Sequence, residues 1–331
     1  SVTPIDFNGN DLYVGGDWDQ RNSNISNLGT VFFDGTNQRL FTGNGFTNTI
    51  LPGNWVIEGS SSAQIELNVS IQGDLTINGS LDVTTDNHEI YLSGGDWINN
   101  GSFNAQEGLV LFNNSVAQTI DGTQTFHNLT INNAGGVSMN SGTSTVNRRL
   151  NVNPSGFLNA NGRLILNSTA TTDAWITANS PVNGNITVRR LIPAGAADYR
   201  DLGSPVSGAT IADWDNEIII SGPSFPDGCA YGSTGCFTSI ATWNATTQAY
   251  TYASGPGDNL SNGTGFEVFL GDNLNTFSGV IMDVTGGNVN GSTGNLLRSG
   301  WNLIANPFPS VIDFDDFYPG GGVGNYFYIY D

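Results

Sequence analysis

The residues that could do chemistry are few. Histidine, the usual general acid or base near neutral pH, occurs only as His88 and His127. His88-Glu89 lacks the second histidine of a zinc-binding helix. His127 falls where the other copy of an internal repeat, described below, has no histidine. Both read as structural or solvent-facing. Arg148-Arg149 and Arg189-Arg190 could serve the carboxylates of an acidic polysaccharide, but adjacent strand residues point to opposite faces, so each pair offers one guanidinium per face. The plainer reading is an arginine that closes a rung or a domain junction. No Gly-x-Ser-x-Gly or Gly-x-Gly-x-x-Gly segment occurs.

Two acidic runs, Asp213-Trp214-Asp215-Asn216-Glu217 and Asp313-Phe314-Asp315-Asp316, put alternate carboxylates on one side of an extended chain. Hard oxygen ligands at that spacing suit Ca²⁺, which takes about six to eight oxygens; solvated acidic loops are the alternative. Calcium is the one cofactor the residues suggest. Cys229 and Cys236 enclose Cys-Ala-Tyr-Gly-Ser-Thr-Gly-Cys. In an oxidising compartment such a pair forms a local disulfide, and it is too few ligands for structural zinc; two separate buried thiols are the alternative. Trp175, Trp214 and Trp243 lie amid polar turns and could stack on sugar rings.

The composition narrows the classes. All nine basic residues of the 331 are arginine, there is no lysine, and 29 acidic residues leave a net charge of −20. A P-loop and a Schiff-base enzyme both need lysine, and nucleic-acid binding rests on clustered Lys and Arg, so none of these is expected. No apolar run is long enough to span a bilayer. Charged residues are 11% against a usual figure of about 25%, and solubility must come from Asn, Ser, Thr and Gly. With 44 glycines and 42 asparagines helix interiors are disfavoured. An all-β protein with a real core follows.

An internal repeat fixes the elements. Leu12-Tyr13-Val14-Gly15-Gly16-Asp17-Trp18 recurs as Ile90-Tyr91-Leu92-Ser93-Gly94-Gly95-Asp96-Trp97, and Gly29-Thr30-Val31-Phe32-Phe33 as Gly108-Leu109-Val110-Leu111-Phe112, with Trp18 to Trp97 and Gly29 to Gly108 each 79 residues apart. Gln38 matches Gln118. The equivalence of Trp18 and Trp97 assigns them to packing. Within the blocks, short strands such as Ile65–Val69, Leu75–Ile77, Leu129–Ile131 and Leu150–Val152 alternate with Asn-Gly, Gly-Ser and Pro-Ser-Gly turns. Strands this short suit the rungs of a parallel β-helix, which buries a continuous core only as a stack. Asparagines at rung corners then accept left-handed backbone angles and stack in hydrogen-bonded ladders.

The expected architecture is an N-terminal parallel β-helix or solenoid over residues 1–185, followed by an antiparallel β-sandwich over 186–331. The second half holds both cysteines, most prolines and longer strands at Ile218–Ile220, Ala249–Tyr252, Gly265–Leu270, Trp301–Ile304 and Tyr326–Tyr330. The run of aromatics that ends at Asp331 reads as a chain that continues.

Three segments resemble large exported surface proteins of Bacteroidetes. They are the repeated Gly-Gly-Asp-Trp block with Gln118 to Ile131, Tyr199-Arg200-Asp201-Leu202-Gly203-Ser204-Pro205-Val206-Ser207-Gly208, and Gly300-Trp301-Asn302-Leu303-Ile304-Ala305-Asn306-Pro307-Phe308-Pro309-Ser310 with Asp313-Phe314-Asp315. The resemblance implies export by the type IX route and display on, or release from, the outer surface. It transfers no catalytic residues. The expected function is an extracellular structural or adhesive protein, with a filament or surface-layer subunit as one form. Its partners would be further copies of itself, other surface proteins or the export machinery. The rival is a polysaccharide lyase, hydrolase or glycan-binding module, but no converging acid/base set accompanies it.

Overall fold

The computed structural model describes residues 5–21, 25–41, 50–231, 236–291 and 297–312. The chain divides into two compact units, residues 1–166 with 174–184, and residues 167–173 with 185–331. Among the described residues the one helical element is a 3-10 turn at Ile211–Asp213; all other regular structure is strand.

The first unit is a β-solenoid of about eight turns. One face stacks Leu12–Val14, Thr30–Phe33, Asn54–Ile57, Leu75–Ile77, Trp97–Asn99, Gln118–Gly122, Val137–Met139, Leu158–Asn159 and Val182–Asn183, each parallel to the next. A second face carries Val69–Ile71, Ile90–Leu92, Leu109–Phe112, Gln124–Ile131 and Ser144–Val152. A third carries Trp18–Asp19, Gln38–Phe41, Ser62–Ile65, Ser80–Asp82 and Ser102–Asn104. The chain winds second face, first face, third face, then up one coil. In the upper coils the third and second faces merge into single long strands, with a register shift between Phe126 and Asn128 where His127 sits.

Alternation decides what points inward. Along the first face Val31, Trp55, Leu75, Trp97, Ile120 and Met139 form one register column, all buried. No single rung could bury these side chains, each worth roughly 1.5 to 3 kcal/mol on removal from water; stacking lets every rung roof the one below. At the corners Asn8, Asn27, Asn37, Asn87, Asn161 and Asn179 adopt φ between 48° and 61°, the left-handed region asparagine tolerates best after glycine. Asparagine ladders cross successive coils, with Asn100 Nδ2 donating to Asn78 Oδ1 at 3.0 Å and Asn132 Nδ2 to Asn113 Oδ1 at 2.7 Å.

The copies of the 79-residue repeat lie on different faces. Leu12–Val14 is on the first face and its counterpart Ile90–Leu92 on the second; Trp18 is on the third and Trp97 on the first. From Leu12 the register climbs three coils through Val31, Trp55 and Leu75, then two further faces to Ile90. Seventy-nine residues are therefore a non-integral number of coils. What recurs is a corner: Gln38 Nε2 donates to the Gly16 carbonyl and Gln118 Nε2 to the Gly95 carbonyl. Asp17 accepts the N–H of Arg39 and Asp96 that of Thr119. Trp97 is fully buried, Trp18 half-buried. A Cβ on Gly94 would collide with the Gln72 carbonyl oxygen of the coil below, so this turn admits only glycine.

The expected strand Ile65–Val69 is instead two, Ser62–Ile65 and Val69–Ile71, split by a corner at residues 66–68. There Glu66 pairs with Arg39 at 2.8 Å and Asn68 Oδ1 accepts the N–H of Glu89. Polar residues inside an alternating run thus marked a rung corner.

The second unit is antiparallel. Asn185–Ile192 pairs with Val280–Asn288, which also pairs with Val206–Ser207. A four-stranded sheet has the order Asp198–Leu202, Phe266–Leu270, Ile240–Asn244, Ala249–Tyr252. Its inner face buries Phe266, Val268, Leu270 and Ile240, with Trp214 set edge-on to Phe266 at 5.9 Å. Ile218–Ile220 is not a strand: the N–H of Ile218 returns to the Trp214 carbonyl in a helical turn. Trp301–Ile304 contributes one bridge, Ile304 to Thr264. Tyr326–Tyr330 lies outside the described residues.

Candidate functional site

The four-stranded sheet turns a second, unusual face outward. In Asp198–Leu202 the outward residues are Tyr199 and Asp201; in Phe266–Leu270 they are Glu267 and Phe269. Ala241, which is buried, and Trp243, which is half-buried, continue the row in the third strand, and Tyr252 and Tyr250 pair with them in the fourth. One register line therefore reads Asp201, Glu267, Ala241, Tyr252 across the sheet. Tyr252 is 61% exposed, Tyr250 45% and Tyr199 44%, although large aromatics usually bury most of their surface.

The aromatic positions are braced. Trp243 stands edge-on to Tyr250 at 5.1 Å and donates its Nε1–H to the Trp301 carbonyl at 2.9 Å. Gln248 fixes the same segment, its Oε1 accepting the N–H of Trp301. On the other side Tyr199 meets the Phe269 ring edge-on at 5.3 Å, and Phe269 is in turn packed by Tyr231 at 4.9 Å and Phe237 at 5.9 Å. Tyr231 is held by its hydroxyl, which donates to the carbonyls of Ile219 and Gly271. Cys229 and Cys236, which flank this wall in sequence, are joined in a disulfide.

Two carboxylates lie side by side on the face. Asp201 and Glu267 are direct cross-strand partners, an arrangement that costs stability for like charges. Neither forms an ion pair with an arginine among the described residues. Burial pushes the Asp201 carboxyl up. The Tyr199 phenol is raised by burial first, then by the Tyr252 and Glu267 groups. Carboxylates only accept hydrogen bonds when ionised, so this face calls for a donor.

The calcium expectation at residues 213–217 rests on Asp213, Asp215 and Glu217. It assumed an extended run, but the 3-10 turn and the turns after it scatter the three carboxylates. Asp213 Oδ2 caps the turn by accepting from the Thr210 N–H at 2.8 Å and its hydroxyl at 3.2 Å. Burial and then Asp227 push Asp215 up. Glu217 is pushed up to about 7 by burial and then by Asp283. No group of three His, Cys, Asp or Glu side chains converges on a metal position among the described residues. Asp313, Asp315 and Asp316 lie outside the described residues.

The three tryptophans proposed for sugar stacking separate. Trp214 is 3% exposed and belongs to the core, because the 3-10 turn points it inward under Phe266. Trp175 is half-buried in the solenoid, beside Arg149 in register. Trp243 alone lies on the aromatic face. Arg189 is 3.7 Å from Asp283, and Arg190 is lowered by burial, its guanidinium donating to the Arg189 carbonyl. His127 is lowered by burial. Tyr199, Asp201, Tyr250, Tyr252 and Glu267 went unread in the sequence. Their signal was the alternation in Ala249-Tyr250-Thr251-Tyr252 and Phe266-Glu267-Val268-Phe269, where the second of two faces is also aromatic.

Comparison of the chain with family models, with curated proteins and with solved structures finds no match. No helix among the described residues is long and apolar enough to cross a membrane. What the aromatic face can do follows from its own chemistry: it presents rigid π-surfaces around acceptor oxygens, a layout for holding a ligand by stacking and hydrogen bonds.

Proposed function

We propose that the protein is a non-enzymatic extracellular structural or adhesive protein, a solenoid shaft followed by a β-sandwich, exported by a type IX-like route to the outer cell surface. The observation that carries this reading is the solenoid itself. Its interior is dominated by stacked apolar columns such as Val31, Trp55 and Leu75, the few buried polar side chains such as Gln118, Gln124 and Asn133 being hydrogen-bonded, and its corners carry Asx and Gln side chains that tie one coil to the next. Stiffness follows from that construction, since each rung is held by both neighbours. The low charge and Asn-rich turns support an exterior setting, and the Cys229–Cys236 disulfide agrees with an oxidising one. The antiparallel pairings of the second unit support the sandwich. Further copies of the chain, other surface proteins and the export machinery are the partners this reading implies.

The second reading, a carbohydrate-active protein, is favoured by one observation: Asp201 and Glu267 are adjacent carboxylates on an aromatic face. Beads coated with the purified chain decide between them. Incubated with insoluble plant and algal polysaccharides, they are expected to adhere without releasing reducing ends or unsaturated products. Product release without retention would overturn the adhesive reading.

A further inference from the structure

We propose that the outward face of the four-stranded sheet, from Tyr252 across Glu267 and Asp201 to Tyr199, is a binding site for neutral polysaccharide chains. This deepens the adhesive reading and rests on it for the absence of turnover.

Three features converge on that ligand. Pyranose rings present a C–H face that packs on aromatic surface, and the exposed Tyr252 and Tyr199 offer such surface at the two ends of the row, with the half-buried Trp243 beside Tyr250. Sugar hydroxyls are hydrogen-bond donors, and the Asp201 and Glu267 carboxylates are acceptors with no arginine paired to them among the described residues. A chain of net charge −20 whose only cations are nine arginines repels uronate or sulfate polymers at an acidic face. Neutral donors satisfy the site and polyanions do not.

Shape sets the size of the ligand. Four strands span roughly 14 Å from first to last, which accommodates a stretch of polymer lying across the strands rather than a single sugar. Ala241, between Glu267 and Tyr252 in register, keeps the middle of the row low. The site is also preorganised: the Trp243 indole is fixed by the Trp301 carbonyl, and Phe269 under Tyr199 is packed by Tyr231. Little ordering entropy then opposes binding.

Affinity electrophoresis of the intact chain tests this, in gels containing a β-glucan, a galactomannan or a xylan, with alginate and glycol chitosan for comparison. At least one neutral polymer is expected to retard the protein, and alginate is not. Tyr252→Ala and Trp243→Ala should each weaken retardation about tenfold, and the double variant should abolish it while its melting temperature stays within a few degrees of the parent. Glu267→Gln should weaken binding less than either aromatic loss. Retardation by no neutral polymer, by glycol chitosan alone, or equally for parent and double variant overturns the proposal. If coated beads still adhere to polysaccharide while the double variant adheres equally well, the site is wrong and the adhesive reading stands.

Discussion

The Asp96 carboxylate accepts the backbone N–H of Thr119 at 2.6 Å, one coil further along the solenoid. Asp96 in turn donates its own N–H to Asp74 Oδ1 at 2.8 Å, and Asp74 donates to Asn54 Oδ1 at 2.9 Å. A continuous side-chain ladder thus runs up one corner of the stack. Asp96→Ala leaves the Thr119 N–H without its acceptor and should cost about 1 to 3 kcal/mol, whereas Asp96→Asn keeps an acceptor and should cost less. Asp17→Ala removes the equivalent bond to Arg39 at an exposed corner and should cost under 1 kcal/mol, about the net value of one solvated hydrogen bond. Urea unfolding midpoints give the order; equal losses for all three variants would refute the ladder.

Trp97 and Trp18 should separate just as clearly, although they match in the repeat. Trp97 is fully buried against Phe103 and Phe126 at 4.8 and 5.3 Å, so Trp97→Ala should cost about 3 to 5 kcal/mol. Trp18 meets Phe33 edge-on at 6.3 Å and is only half-buried; Trp18→Ala should cost less than half as much. The Trp97 indole N–H has no hydrogen-bond partner among the described residues, so Trp97→Phe should be far milder than Trp97→Ala. Chemical denaturation measures all three.

These two tryptophans also mark how far the sequence could be read. The solenoid was legible because a short alternating strand followed by an Asn or Gly corner is a local signal that repeats down the chain. The face on which each copy sits was not, since it depends on summing unequal coil lengths between Leu12 and Ile90. In the second unit the same reading was given to Trp243 and Trp214, and only Trp243 lies on the aromatic face; Trp214 was not readable as core. A 3-10 turn reverses the inward and outward sense that an extended run would give to Asp213, Trp214 and Asp215.

Acid should stabilise the second unit over a defined range. Burial, and then Asp283, raise Glu217 to about 7 in the folded chain, above the ordinary glutamate value of about 4.3 in an unfolded one. Between those values the folded state holds the proton and the unfolded state does not, so stability falls as pH rises. The contribution is fully present below about pH 4.3 and lost above about pH 7. Asp201 and Asp215, also raised by burial, act in the same sense. Melting temperatures from pH 5 to 8 should therefore decline, and Glu217→Gln should flatten the decline and melt higher than the parent at pH 8. A parent curve that rises across this range contradicts the assignment.

Replacing Cys229 and Cys236 together by serine should cost about 2 kcal/mol, the loop-closure value for so short a ring. The loss should be confined to the second unit and should reach the Phe269 wall through Tyr231 and Phe237. Hydrogen exchange checks it: amides of Phe266–Leu270 should lose protection while those of Leu75–Ile77 keep theirs. Uniform loss across both segments would show that the disulfide does not act locally.

Whether this protein works outside the cell is decided most directly by immunogold labelling of intact, unpermeabilised cells of the organism that makes it. Amine-reactive surface reagents are ill suited, because the chain has no lysine to take them. Gold particles on the outer face of intact cells, at a density that permeabilisation does not raise, is the predicted result. Labelling that appears only after permeabilisation would contradict an extracellular structural or adhesive role.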